Sequence, residues 1–179
     1  MERAFLMKKN RQTAESRYIL DQQVGFWLRV ALQRHRAIFS SKMTHDLTPI
    51  QFAALATLLE VGPCSQNRLA RLIYADPATT KGVVDRLCKR GVLAIEVDPD
   101  DLRRRGVTLT DKGRQLAKVA TKAATDITTK TLVPLNKNEQ LQIISLLMKL
   151  SGLRRTAGNK LQPVLDKATE RGLSLADEV

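Results

Sequence analysis

Apolar residues in the first part of the chain recur at the spacing of an amphipathic helix. From about 16 to 42 they fall at steps of three and four, which places them on one stripe of a long helix. The stripe consists of Leu20, Val24, Trp27, Leu28, Ala31, His35, Ile38 and Phe39. Few other apolar elements are available within 179 residues to cover so long a stripe. We therefore expect it to pack against another subunit.

A more completely apolar helix follows, in "PIQFAALATLLEV". Thr48 is a natural N-cap, Pro49 suits the first helical position, and the glycine and proline at 62–63 end the helix.

Two short helices joined by a tight turn come next. Ser65 caps "QNRLARLIYA", and Asp76 caps "PATTKGVVDRLCKRG" with Pro77 at its first position. The second helix turns Val83, Val84 and Leu87 inward and carries small and polar residues at its start. This arrangement predicts a helix-turn-helix, whose second helix enters the major groove of DNA.

A charged turn between two short strands follows the helix pair. "VLAIEV" (92–97) and "GVTLT" (106–110) are β-prone and bracket "DPDDLRRR". A hairpin directly after a helix-turn-helix predicts a winged helix, with the arginine-rich tip reaching a neighbouring backbone or minor groove. Two further helices are expected, one after Thr110 and one after Asn136 or Asn138. The fold class is therefore mostly α with a small β-hairpin wing.

The charge balance favours a polyanionic partner. Thirty Lys and Arg against 18 Asp and Glu leave a net charge of +12, which suits nucleic acid or an anionic membrane. No apolar run is long enough to cross a bilayer, no helix combines a bulky apolar face with a wholly basic one, and no signal peptide is evident. Two cysteines make no disulfide framework. We expect a cytoplasmic protein without a membrane partner.

Four stretches in the same order are similar to motifs of one family. "LTPIQFAALATL", "SQNRLARLI", "TTKGVVDRLCKRGVL" and "DPDDLRRRGVTLTDKG" resemble the MarR (multiple-antibiotic-resistance regulator) family of bacterial transcription factors, over about 21–150. Asp101 and Arg103 match the family's Asp-x-Arg pair in the wing. The resemblance implies a homodimer that binds a pseudo-palindromic promoter site, usually as a repressor, and releases it on binding a small ligand.

The resemblance also implies a domain organisation. We expect a flexible N-terminal arm over 1–15, a helical dimerisation region over 16–47 and 111–151, and a winged helix-turn-helix over 48–110. A C-terminal extension over 152–179 is longer than the family requires, and the resemblance says nothing about it.

Candidate DNA contacts lie on the helix pair and the wing. The start of the second helix is expected to read bases, with Thr80 equally open to a core or capping role, and Arg86 to hold phosphate. The start of the first helix suits a phosphate, although Ser65 could be a plain cap. One wing arginine, Arg103, is expected to pair with Asp101 and shape the tip. The predicted DNA-binding residues are Ser65, Gln66, Asn67, Ala78, Thr79, Thr80, Lys81, Arg86, Arg103, Arg104 and Arg105.

Candidate effector contacts lie on the long first helix. Trp27, Arg29, His35 and Phe39 combine aromatic rings with cationic groups, which suits an aromatic carboxylic acid. His35 could instead be a core residue, and Arg29 and His35 point in different directions on one helix. Relatives in the family bind phenolic or aromatic acids near these helices, and the resemblance carries that expectation here.

Other functions have weaker support. A redox-responsive regulator would use Cys88, whose pKa Lys89 and Arg90 could lower, or Cys64, although a buried inert thiol is the plainer interpretation. Two histidines without a ligand cluster predict no metal site. The chain has no Gly-rich phosphate loop, H-E-x-x-H or nucleophile elbow, so no enzyme and no cofactor are predicted. A sequence-indifferent architectural DNA-binding protein remains an alternative.

Overall fold

The computed structural model describes residues 18–97, 105–155 and 161–163. Helices dominate: α1 (Val24–Lys42), α2 (Pro49–Val61), α3 (Gln66–Leu72), α4 (Pro77–Lys89), α5 (Asp111–Leu132) and α6 (Lys137–Leu150). The strands are β1 (Leu93–Val97), β2 (Arg105–Leu109), β3 (Leu153–Arg155) and β4 (Leu161–Pro163). A mostly helical chain with a β-hairpin after its helix pair confirms the predicted fold class.

The predicted caps form. Thr48 and Gln51 make a reciprocal capping box at the start of α2, and Ser65 and Asp76 accept from the backbone N–H three residues on at α3 and α4. Asn136, not Asn138, caps α6, and it does so with Glu139 as the second half of a capping box. Gly62 ends α2 with φ of 75°, a conformation that side chains disfavour.

The first helix begins later than its apolar stripe predicts. Leu20–Gln22 forms a separate 3-10 turn, and Gln23 is extended before α1 starts at Val24. The indole N–H of Trp27 donates to the carbonyl of Asp21 at 2.7 Å. The described residues before Val24 are therefore outside the helix, and the predicted start near 16 is wrong. The apolar spacing did not reveal this because it continues across the extended residue that separates the 3-10 turn from α1.

The core lies in the winged helix and against the first half of α5. Leu55, Leu69, Val83 and Leu87 are inaccessible to solvent and pack together from α2, α3 and α4. The hairpin pairs β1 and β2 antiparallel, from Leu93 opposite Leu109 to Val97 opposite Arg105.

A single backbone bridge joins the end of α2 to the wing, and the sequence did not predict it. Cys64 bridges Val107 through two backbone hydrogen bonds, of 3.2 and 2.8 Å. The segment that ends α2 therefore holds the inner edge of the hairpin. A single residue between a glycine-proline pair and a helix cap carries no strand pattern, so only the fold shows this pairing.

The terminal helices are packed differently. α1 lies along α5 with Phe39 as its one buried residue, and α6 has none. A second hairpin, β3 with β4, follows α6 inside the predicted C-terminal extension, where the sequence suggested only a weakly amphipathic stretch. Among the described residues, no helix is both long and apolar enough to traverse a bilayer.

Candidate nucleic-acid interface and effector region

The start of α4 presents a polar surface held by its cap. Asp76 accepts from the Thr79 backbone N–H at 2.8 Å. Hydrogen bonds from the Thr79 side chain and backbone hold the pKa of Asp76 below its ordinary value, so the cap stays charged. Ala78, Thr79 and Lys81 are exposed beside it. The charged cap therefore stabilises the first turn of α4.

Arg86 extends the same surface along α4. Its side chain is exposed, and its guanidinium lies near Gly82, where a Cβ would stand 3.5 Å from one terminal nitrogen. A methyl group at that distance would be in ordinary van der Waals contact with the guanidinium. The contact of Arg86 with phosphate stays a prediction.

Thr80 corrects one of the predicted contacts. It is 0% exposed, and its hydroxyl donates to the Asp76 carbonyl at 2.9 Å. The assignment of Thr80 to base reading is wrong, because its hydroxyl is sealed in the core. The signal was in the sequence: Thr80 lies three, four and seven residues before Val83, Val84 and Leu87, on the inward stripe of the helix.

The start of α3 supports the capping interpretation of Ser65, whose hydroxyl accepts from the Arg68 N–H at 3.3 Å. Asn67 is exposed and Gln66 is half-buried. Arg68 and Arg71 are exposed on the same short helix and add positive charge beside it. Phosphate contact by these residues stays a prediction.

The wing tip lies outside the described residues. Asp101, Arg103 and Arg104 fall there, and of Arg105 the structure describes only the backbone, which pairs with Val97. The described strands end with Val97 opposite Arg105. The expected Asp101–Arg103 pair and the wing contacts stay predictions.

The four predicted effector residues form two groups rather than one. Trp27 is 54% exposed at the start of α1, with Phe26 edge-on to it at 5.2 Å and the Arg29 guanidinium 5.3 Å from the Phe26 ring. Farther along α1, His35 and Phe39 face inward. This separation agrees with the different directions expected for Arg29 and His35.

The inner group joins α1 to α2 and α5. His35 Nδ1 lies 3.0 Å from the Thr131 hydroxyl, and Phe39 packs near Phe52 with ring centroids 6.3 Å apart. Arg34, which sequence reasoning did not select, donates to the carbonyls of Thr131 at 2.7 Å and Lys130 at 3.3 Å. It caps the negative end of α5, a role that depends on the tertiary pairing of the two helices.

The cysteines are poor candidates for a redox sensor. Burial raises the pKa of the Cys64 thiol despite the opposing charge of Arg68. Burial, followed by the charge of Asp85, raises the pKa of Cys88. The raised pKa of Cys88 is opposite to the redox alternative, in which neighbouring cations would lower it, and agrees with the favoured interpretation of an inert thiol. Within the part of the chain that the structure describes, no three His, Cys, Asp or Glu residues gather as a metal site.

Comparison with known proteins decides the family. A family model described as MarR family matches residues 45–104. The HTH-type transcriptional repressor NicR of Pseudomonas putida is 37% identical over 142 residues, which cover 79% of this chain and 90% of NicR. The chain belongs to the MarR family.

Solved MarR-like structures agree with this fold. A probable transcriptional regulator from Pseudomonas aeruginosa superposes with a TM-score of 0.71 and 47% identity, covering 74% of this chain and 99% of that one. Bordetella bronchiseptica BpsR, whose DNA binding is regulated by 6-hydroxynicotinic acid, matches with a TM-score of 0.71 and 41% identity over 75% of this chain and 96% of its own. The MarR family consists of DNA-binding transcriptional regulators rather than enzymes, and its winged-helix fold is the one described here.

Proposed function

We propose that this chain is a homodimeric repressor that binds a pseudo-palindromic promoter site and releases it on binding an aromatic carboxylic acid. The observation that carries the proposal is the exposed polar start of α4. Ala78, Thr79 and Lys81 project beside a charged cap, while the opposite face of the same helix is sealed in the core. A recognition helix needs that division between a buried and a free face.

The proposed DNA surface combines base-reading and phosphate-binding groups. Thr79 and Lys81 carry donors that suit base edges, and Ala78 can contact a thymine methyl group. Arg86 and the start of α3 at Ser65, Gln66 and Asn67 suit phosphate, and the wing arginines suit the adjacent minor groove. The net charge of +12 adds a long-range attraction to the duplex.

The proposed dimer uses the helices at both ends of the fold, within 16–47 and 111–151. α1 exposes Val24, Leu28 and Leu32. α6 exposes a further row of large apolar residues: Leu141, Ile144, Leu146, Leu147 and Leu150. A soluble chain seldom leaves so many large apolar residues in water, which supports a second copy covering them.

The proposed effector is a ring-hydroxylated aromatic acid. BpsR, at 41% identity, responds to 6-hydroxynicotinic acid, a pyridine ring that bears a carboxylate and an oxygen substituent. Arg29 beside Phe26 and Trp27 offers a guanidinium for the carboxylate and rings for stacking, and His35 with Phe39 offers a second, inner combination. We favour Arg29 as the carboxylate partner.

The first experiment tests DNA binding by the full chain. Fluorescence anisotropy with labelled promoter fragments should show a preference over random duplex of the same length and a steep loss of affinity with salt. The double variant Thr79→Ala with Lys81→Ala should lose the preference, whereas Lys118→Ala, an exposed lysine on α5, should keep it. Equal affinity for every duplex would contradict the proposal and support the architectural alternative.

The second experiment tests the effector. Adding 6-hydroxynicotinic acid should lower operator affinity, and benzoic acid should do so less. Arg29→Ala should bind DNA normally but lose the response, whereas Arg36→Ala, another exposed arginine on α1, should retain it. A normal response in Arg29→Ala would show that this arginine does not hold the carboxylate.

A further inference from the structure

The carboxyl end of α4 meets two other parts of the molecule at Arg90–Val92. Arg90 is the C-cap of α4, and Gly91 turns the chain with φ of 69° toward β1. The turn between α1 and α2 approaches from one side at His45, and the start of α5 approaches from another at Thr110 and Lys112. The recognition helix is thus anchored at the end opposite to the one proposed to read DNA.

Side-chain hydrogen bonds join this end of α4 to both neighbours. The Arg90 guanidinium donates to the His45 carbonyl at 2.8 Å. The Lys112 ammonium donates to the Arg90 carbonyl at 3.1 Å, where a cation complements the negative end of a helix. The Thr110 hydroxyl donates to the Gly91 carbonyl at 2.8 Å while it accepts from the Gly113 N–H at 3.1 Å.

The backbones at Gly113 and Val92 are also in close contact. A Cβ on Gly113 would overlap the Val92 carbonyl, so α5 can begin there only with a glycine at its third position. The Thr110 N–H donates to that same Val92 carbonyl at 3.2 Å. The third position of a helix often carries a glutamate. In α5 this position is a glycine, which allows the backbone to contact Val92.

The turn that receives Arg90 is unusual in its backbone. His45 and Asp46 have φ of 57° and 50°, although neither is a glycine. Two successive residues in the left-handed region cost free energy that the surrounding structure must offset. The hydrogen bond from Arg90 to the His45 carbonyl is one contact that favours this conformation.

Arg90 itself is badly placed to read bases. It lies 13 residues after Pro77, which at 1.5 Å per residue is about 20 Å along the helix from the exposed start. Its guanidinium and the Lys112 ammonium are each engaged with a backbone carbonyl. Both cationic groups therefore stabilise contacts within the protein.

We propose that Arg90 and Lys112 are positioning residues for DNA recognition. They hold α4 at a fixed angle to α5 and to the α1–α2 turn, so that the two recognition helices of the dimer match the spacing of its half-sites. This inference rests on the proposed function. Half-sites lie about one helical turn of DNA apart, about 34 Å, so a small rotation at each anchor displaces both reading ends at once.

The test compares operators of different spacing with protein that is folded throughout. Arg90→Gln and Lys112→Gln should each weaken binding to the native operator about tenfold, by loss of a charged hydrogen bond at each anchor. The affinity of the variants for operators lengthened or shortened by one base pair should fall less than their affinity for the native operator. The preference for native spacing should therefore decrease. Affinity for random duplex should stay at the wild-type value.

Salt dependence separates positioning from direct contact. The slope of log K against log salt should be unchanged in both variants, whereas Arg86→Gln should make it shallower by about 1.8 if each of two subunits loses one phosphate contact. A shallower slope in Arg90→Gln would show that Arg90 contacts phosphate and would overturn the inference.

Two further outcomes are decisive. If both variants keep wild-type affinity and spacing preference, or if they lose affinity for all spacings in equal proportion, the anchor has no positioning role. If the wild-type protein itself shows no operator preference, the proposed function fails instead. Circular dichroism and thermal melting at each salt concentration establish that the compared proteins are folded.

Discussion

The winged helix and the terminal helices bury their apolar residues in different ways. In the winged helix, Leu55, Leu69 and Leu87 are inaccessible to solvent within a single chain. In α6, Leu141 remains 74% exposed and Leu150 60% exposed, and no residue of that helix is buried. One region buries its large apolar residues within its own chain, and the other leaves them exposed.

The difference in burial leads us to expect different roles for the two regions. A self-contained core can leave a polar face free for a ligand as large as DNA. Helices with uncovered apolar rows gain free energy only when another surface removes them from water. We therefore expect substitutions in the first region to alter folding or DNA recognition, and substitutions in the second to alter assembly first.

The largest effect should come from charge in the uncovered row of α6. Leu147→Glu combined with Leu150→Glu should dissociate the proposed dimer and weaken operator binding by about 10³-fold, because two linked half-sites become two independent ones. Sedimentation velocity and anisotropy measure the two quantities. Gln142→Glu, at an exposed polar position of the same helix, is the control and should remain dimeric. A double variant that stays dimeric would place the interface elsewhere.

A cavity in the winged-helix core should rank next. Leu55→Ala should lower the free energy of unfolding by about 3 kcal/mol, since it removes packed atoms from a fully buried site. Urea denaturation followed by circular dichroism measures the loss. Leu72→Ala, at a position 40% exposed in the same unit, should cost clearly less. Equal costs would mean that the two sites are packed alike.

A substitution on the exposed face of α4 should change DNA affinity and leave the stability of the fold unchanged. Lys81→Ala should weaken operator binding by about 1 to 2 kcal/mol while leaving the melting temperature unchanged, because Lys81 is exposed and lies at the start of α4. Anisotropy titrations and thermal melts on the same samples measure both. Unchanged operator affinity would remove Lys81 from the proposed surface.

The buried face of the same helix should show the opposite pattern. Thr80→Val should destabilise the fold by about 1 kcal/mol, by loss of its hydroxyl hydrogen bond to Asp76. The ratio of operator affinity to random-duplex affinity should be unchanged. A changed base preference with unchanged stability would return Thr80 to the recognition surface.

The smallest effect should come from the cysteines. Because burial raises the pKa of both thiols, little thiolate is present at neutral pH, and their reactivity should appear at a higher pH than that of an ordinary thiol. Cys88→Ser should bind operator as the wild type does, before and after treatment with hydrogen peroxide. A peroxide response in the wild type that Cys88→Ser abolishes would revive the redox alternative.

Local signals in the chain predicted the caps of α2, α3 and α4, but not the start of α1 or the β3–β4 hairpin. The Thr48, Ser65, Asp76 and Asn136 caps each involve a residue only three positions away, so the sequence contains the whole interaction. The inward face of α4 was likewise readable from the spacing of its valines and leucines, and the same spacing should have assigned Thr80 to the core.

Contacts between distant segments required the folded chain. The pairing of Cys64 with Val107, the Arg34 contacts to the end of α5 and the Arg90 contact to His45 join residues separated by 43 to 97 positions. No local period encodes such a pair, because each partner alone is an ordinary backbone amide, cation or carbonyl. The free energy of these contacts arises only after the core of the winged helix has brought the segments together.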